Sequence, residues 1–123
     1  MILVDASVWI DHLRQSDHAL VQALEAGQVL VHPFIVGELA CGNLANRRQV
    51  LNLLQALPQA PVASHEEVLG FIERRQLMGR CIGYVDVHLL ASVALEGTST
   101  LWTRDRLLAV VARDLALATG EQP

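Results

Sequence analysis

Four of the thirteen acidic residues in this chain stand where a lone carboxylate is unfavourable. Asp5 directly follows the apolar run Ile2-Leu3-Val4, which reads as a strand buried on both faces. Asp105 stands three residues beyond Trp102, at the end of the run Ser99-Thr100-Leu101-Trp102, which reads as another strand. Each of these two could do no more than cap the helix that follows it. Glu38 falls in a helix over 34–41, where its same-face neighbours are Phe34, Ile35, Cys41 and Gly42, an apolar face. Asp86 opens a stripe continuing through Leu90, Val93 and Ala94, the inward face of a helix over 84–95. Its place near that helix's N-terminus offers some dipole stabilisation. A carboxylate on an apolar face is unfavourable unless it is paired or bound to a metal. For Glu38 the sequence identifies no arginine partner. Four such groups converging without cations would repel, and a divalent cation resolves this. Magnesium takes oxygen ligands, keeps several waters and uses few carboxylates. One or two such ions can activate water and stabilise the leaving oxygen of a phosphoryl displacement. The acids Glu25, Glu66, Glu67, Glu73, Glu96, Asp114 and Glu121 read instead as solvated, as do Asp11 and Asp17, with Asp17 also a candidate cap.

The elements that must position these acids can be read from the patterning. Helices are predicted over 7–14 with Ser7 as cap, 17–26 stopped by Gly27, 34–41, 47–57, 65–78, 84–95 ended by Gly97, and 105–115. Pro33 suits the start of the third helix. Ser64 with Glu67 three residues on forms a capping box for the fifth. Strands are predicted at Ile2 to Val4, Val29 to Val31, Pro61 to Ala63 and Ser99 to Trp102, with a further short one near Leu115 to Ala118. Strands alternating with helices imply an α/β fold: a parallel sheet of about four to five strands, helices on both faces. In open sheets of this kind ligands sit at the carboxyl ends of the strands, where Asp5 and Asp105 fall.

Composition bounds the function. A chain of 123 residues, 52% apolar, is predicted to form a single domain over 1–123 with a sizeable core. Its apolar runs are too short to span a bilayer, and no signal peptide is read. Two cysteines, Cys41 and Cys81, are too few for a disulfide scaffold and lack metal-ligand spacing, so a reducing, cytoplasmic setting is expected and both are read as small apolar packing groups. A net charge of −4 argues against a general basic nucleic-acid binder. All nine basic residues are arginine, so any mechanism requiring lysine is excluded.

The opening Met1-Ile2-Leu3-Val4-Asp5-Ala6-Ser7-Val8-Trp9-Ile10-Asp11 resembles that of a PIN-domain ribonuclease of the bacterial VapC toxin type. Val36-Gly37-Glu38-Leu39, Asp86-Val87-His88-Leu89-Leu90-Ala91 and Thr103-Arg104-Asp105 resemble the family's second, third and fourth acidic motifs, in order and over nearly the whole chain. The resemblance implies a PIN-like three-layer α/β/α fold. It also implies a magnesium- or manganese-dependent endoribonuclease, commonly a homodimer, held inactive by a cognate antitoxin. By that similarity Asp5, Glu38, Asp86 and Asp105 are the catalytic and metal-binding acids, Ser7 and Thr103 support them through hydrogen bonds, and metal-activated water attacks an RNA phosphodiester. For Asp105, action through water is the alternative to direct ligation. The chain's acidity leaves its RNA-binding face unmarked. Candidate contacts are Arg47, Arg48, Arg74, Arg75 and Arg80, with Arg104 and Arg106 beside Asp105 as candidate phosphate contacts. The apolar surface of the first helices is the candidate antitoxin site. His12, His88 and Trp9 are read as structural or surface residues.

Rival folds fail on specific residues. A response-regulator receiver needs a lysine, a haloacid-dehalogenase-type phosphatase needs Asp-x-Asp where Asp5-Ala6-Ser7 stands, and a dinucleotide-binding fold needs Gly-x-Gly-x-x-Gly. The alternative of another class is a catalytically silent PIN-like module that binds RNA or a protein partner. The presence of all four acids argues against it.

Overall fold

The computed structural model describes residues 1–120. Its elements, in chain order, are β1 (Ile2–Val4), α1 (Ala6–Arg14), α2 (His18–Glu25), β2 (Val29–Leu30), α3 (Pro33–Ala40), α4 (Arg47–Ala56), α5 (His65–Arg75), α6 (Tyr84–Glu96), β3 (Thr100–Trp102) and α7 (Arg106–Asp114). The three strands form a parallel sheet in the order β2-β1-β3. Leu3 pairs with Leu30 on one side and Leu101 on the other, and Val4 pairs with Trp102. Successive strand residues point to opposite faces. Leu3 and Val4 are both fully buried, as is Leu101 beside a nearly buried Trp102, so both faces of the sheet are covered by helices. This is the expected three-layer α/β/α arrangement.

The sheet proper has three strands, extended at each edge by a single parallel bridge, Val31 with Gln59 and Leu101 with Ala118. The second bridge falls in the segment predicted near Leu115 to Ala118. The first lies just before the predicted strand at Pro61 to Ala63. There Val31 N–H donates to Pro58 O and Ala60 N–H to Val31 O, both at 2.9 Å. The next bond of that ladder would need an N–H at residue 33 to donate to Ala60 O, and Pro33 has none, so the pairing stops and the chain runs on to the Ser64 cap.

Local signals account for most helix ends. The Ser64–Glu67 capping box is formed in both directions, at 3.1 and 2.8 Å. Asp17 caps α2 through Leu20 N–H. Gly97 ends α6 at φ 91°, a conformation that glycine adopts without strain. Helix α5 stops three residues before the predicted end. Gln76 takes a left-handed conformation (φ 54°) and Leu77 N–H returns to Ile72 O at 3.0 Å, with the Leu77 side chain buried. This Schellman-like closure is usually carried by glycine, so Gln76 gave no signal in the sequence.

Candidate active site

Asp5 leaves β1 with its N–H still donating to Trp102 O at 2.9 Å, so the central strand holds its backbone. It occupies the N-cap position of α1, yet its side chain caps nothing. Ser7, predicted as that cap, lies inside the helix and turns its hydroxyl to Asp5. The Asp5 Oδ2 accepts from Ser7 Oγ and from Thr103 Oγ1, each at 2.8 Å. Ser7 Oγ in turn accepts from Arg104 N–H, and Thr103 Oγ1 from Asp105 N–H, both at 3.0 Å. Each hydroxyl has one proton. With a backbone N–H already donating to it, each is oriented to give that proton to Asp5. The two hydroxyls lie 3.4 Å apart and share only the carboxylate. Asp5 is buried, and its Oδ1 receives no hydrogen bond among the described residues. One oxygen is thus anchored and the other left for a ligand.

Asp86 lies half-buried in the first turn of α6, where its carboxylate accepts from Gly83 N–H at 3.3 Å. Its stripe partners Leu90 and Val93 are buried, as the periodicity predicted. Burial is the main cause holding its pKa above the usual range, with the charges of Asp5 and Asp105 adding to it. Glu38 differs from the sequence reading. Ile35 is buried, but Glu38 is exposed together with Phe34, Cys41 and Gly42, because that side of α3 faces an open cleft rather than the core. Its pKa is still raised, by partial desolvation first and then by Asp5 and Asp86. Asp105 is exposed and caps α7, accepting from Leu108 N–H through Oδ1 at 3.0 Å. The cap and the site role coexist in one side chain.

The four acids therefore sense one another across the carboxyl ends of β1 and β3, the second turn of α3 and the first turn of α6. Among the described residues no three His, Cys, Asp or Glu side chains are drawn together tightly enough to hold a metal ion. Like charges without a cation between them favour that spacing. The donor chemistry nevertheless fits a hard divalent ion. All four donors are carboxylate oxygens, Asp5 Oδ1 is unpaired, and such ions are held by one or two carboxylates with water completing the shell.

One of the two arginines flanking Asp105 is committed elsewhere. Arg104 donates through Nη1 to Asp11 Oδ2 at 2.7 Å and through Nη2 to Asp17, and it lies over the Trp102 ring. The Arg104 hydrogen bond is the main cause holding the Asp17 pKa below its usual value. Arg104 thus ties the β3–α7 turn to α1 and α2, whereas sequence reasoning made it a free phosphate contact and made Asp11 and Asp17 solvated. Arg80 is likewise paired with Asp114 at 2.6 Å, and Arg47 donates to the Ala40 and Gly42 carbonyls. Arg106 is exposed and forms no ion pair among the described residues. Cys41 and Cys81 are exposed, not packed, because both lie in open turns beyond helix ends. His12 is structural, accepting from Asp17 N–H, and Trp9 packs in the core.

Sequence reasoning missed His32. It is fully buried, and its Nδ1 accepts from Phe34 N–H, capping α3. A polar residue just before Pro33 was the available signal.

The raised carboxylates give the metal-free protein a distinctive pH dependence. A folded-state pKa above the unfolded value means that the folded chain binds more protons. Stability then falls as pH rises from the ordinary values of 3.8 for Asp86 and 4.5 for Glu38 through the raised ones. Asp86→Asn removes one of these charges, and its amide oxygen can still accept from Gly83. In EDTA at pH 7, Asp86→Asn should melt a few degrees above the unmutated chain, and the gap should close near pH 4. Manganese should then stabilise the unmutated chain more than the variant. A metal-free variant melting lower at pH 7 would contradict this reading of the site.

The residue arrangement defines an acidic site in an α/β fold, with Asp5, Glu38, Asp86 and Asp105 as its carboxylates. The family profile of the PIN domain matches residues 2–114, and the chain belongs to that family. Among curated proteins it is similar to Ribonuclease VapC32 of Mycobacterium tuberculosis, from strain CDC 1551 / Oshkosh and from strain ATCC 25618 / H37Rv. Both are 48% identical over 122 residues, covering 99% of this chain and 98% of theirs. No helix among the described residues is long and apolar enough to cross a membrane.

Proposed function

We propose that this chain is a metal-dependent endoribonuclease, the toxin of a toxin–antitoxin pair, acting in the cytoplasm as a single PIN-like domain over 1–123. The observation that carries this reading is the Asp5 carboxylate, with Oδ2 fixed by two oriented hydroxyls and Oδ1 left free beside three further acids. Its support from relatives is near full-length similarity to proteins named ribonuclease. Asp5 and Asp86 would hold magnesium or manganese, Glu38 would close the shell from α3, and Asp105 would contribute its uncapped oxygen directly or through water. When bound, such an ion lowers the pKa of water and offsets charge at the scissile phosphate. The chain's own part is to hold Asp5 in place through Ser7 and Thr103 and to keep lysine-free, acidic walls from binding phosphate without metal. Arg106 stands beside Asp105 as the phosphate contact. A homodimer would gather arginines of two copies along one RNA path, and the antitoxin would cover the exposed Ile10 and Leu13 of α1.

Purified protein should cut RNA with magnesium or manganese and not with EDTA, with cleavage restored by excess metal. Cleavage undiminished by EDTA would overturn the metal-site reading. Binding of RNA without cleavage in any metal would favour the silent binding module.

A further inference from the structure

The chain has two tryptophans, two phenylalanines and one tyrosine. Trp9, Trp102 and Phe71 are buried. The others, Phe34 and Tyr84, are 36% and 43% exposed, and they stand together. Both rings pack edge-on against buried His88, Phe34 at 4.7 Å and Tyr84 at 4.6 Å between centroids. Phe34 lies one helical turn before Glu38, on the same side of α3. Tyr84 opens α6 two residues before Asp86. Phe34 therefore shares the Glu38 side of α3, and Tyr84 joins it through His88, which lies one turn further along α6.

The two rings are also held. The Tyr84 hydroxyl is hydrogen-bonded to His65 Nδ1 at the start of α5. Phe34 packs against the buried His32 ring at 5.0 Å, and the backbone N–H of Phe34 is bound by that same histidine. A ring fixed before binding loses little side-chain freedom when a flat partner stacks on it. Of the two arginines flanking Asp105, Arg104 is occupied by Asp11 and Asp17, which leaves Arg106 as the one of the pair without an ion pair among the described residues, so a second, uncharged source of RNA affinity is useful here. Base–aromatic stacking supplies affinity without positive charge and requires a base that is not stacked in a duplex.

We propose that Phe34 and Tyr84 form a stacking platform for an unpaired RNA base beside the phosphate presented to Asp5, Glu38, Asp86 and Asp105. The proposal rests on the nuclease reading and adds the residues that seat the substrate. Phe34→Leu and Tyr84→Leu remove the π face and keep apolar bulk. Phe34→Trp and Tyr84→Phe keep the face, the latter without the hydroxyl.

The test has two arms. The first is fluorescence of a single-stranded hexaribonucleotide carrying one 2-aminopurine, titrated with the full chain in calcium. A hexamer with an abasic site at that position and a six-base-pair RNA duplex serve as controls. Each leucine variant should bind the 2-aminopurine hexamer about tenfold more weakly. The same variants should bind the abasic hexamer and the duplex as the unmutated chain does. The tryptophan and phenylalanine variants should stay within about twofold, and melting temperatures should show that all four fold. Unchanged hexamer affinity in both leucine variants would overturn the proposal and make the pair a protein-contact patch. Equal losses on the abasic hexamer, or no fluorescence change with the unmutated chain, would overturn it as well. The second arm is metal-dependent RNA cleavage, where the leucine variants should raise KM more than they lower kcat. Cleavage with unchanged KM in both would sink the platform and leave the nuclease standing, whereas an unmutated chain that never cuts RNA would sink the nuclease reading itself.

Discussion

Asp5→Asn should lower metal-dependent RNA cleavage by about three orders of magnitude and leave the fold intact. The size follows from the several kcal/mol of transition-state charge stabilisation that a bound ion contributes, at about 1.4 kcal/mol for each factor of ten. The fold survives because an asparagine can place its carbonyl where Oδ2 stands, still accepting from Ser7 and Thr103 at 2.8 Å. Its NH2 then replaces the free Oδ1, putting a donor where a cation would need a lone pair. Cleavage assays on purified protein, paired with thermal melts, check both halves. Activity within tenfold of the unmutated chain, with the melt unchanged, would remove Asp5 from the centre of the mechanism.

The hydroxyl pair behind Asp5 carries the second large effect. Thr103→Val has nearly the same shape and loses both hydrogen bonds, the one given to Asp5 and the one taken from Asp105 N–H. Outer partners that orient a metal ligand typically contribute about 10–100-fold in activity or metal affinity, and Thr103→Val should fall in that range. Thr103 is almost fully buried, so the abandoned Asp105 N–H should also lower stability by about 1–3 kcal/mol. Thr103→Ser restores the hydroxyl and should recover most of the activity. Ser7→Ala should act in the same direction. Because both hydroxyls act on one oxygen, their effects should not add, and neither should matter further once Asp5 is asparagine. A Thr103→Val protein with full activity would show that Asp5 needs no such anchoring.

The amphipathic surface bears on how RNA reaches this site. The acids repel a phosphate until a cation intervenes, and Arg104 is held away by Asp11 and Asp17. Affinity must then come from the metal, from Arg106 and from uncharged contacts. On the stacking proposal, the exposed pair Phe34 and Tyr84 would supply the last of these, with Phe34 one helical turn from Glu38.

Much of this molecule is local and was therefore legible in its sequence. A run of three apolar residues ending in an acid makes a buried strand with a carboxylate at its carboxyl end. Ser64 and Glu67 lie within one helical turn, so their capping box is written in the spacing, as is the inward stripe of Asp86. Residues within four positions of one another meet whenever the helix forms. Tertiary structure decided what spacing does not encode. Thr103 reaches Asp5 across 98 residues, and Arg104 reaches Asp17 across 87, only because β3 lies beside β1 in the sheet. Periodicity put Glu38 on an apolar face, but only the packing of α3 showed that this face is open. Phe34 and Tyr84 are separated by fifty residues of chain and meet over His88 because two helices start at the same end of the sheet. Sequence spacing determines which groups share an element; the order of strands in the sheet determines which elements share a site.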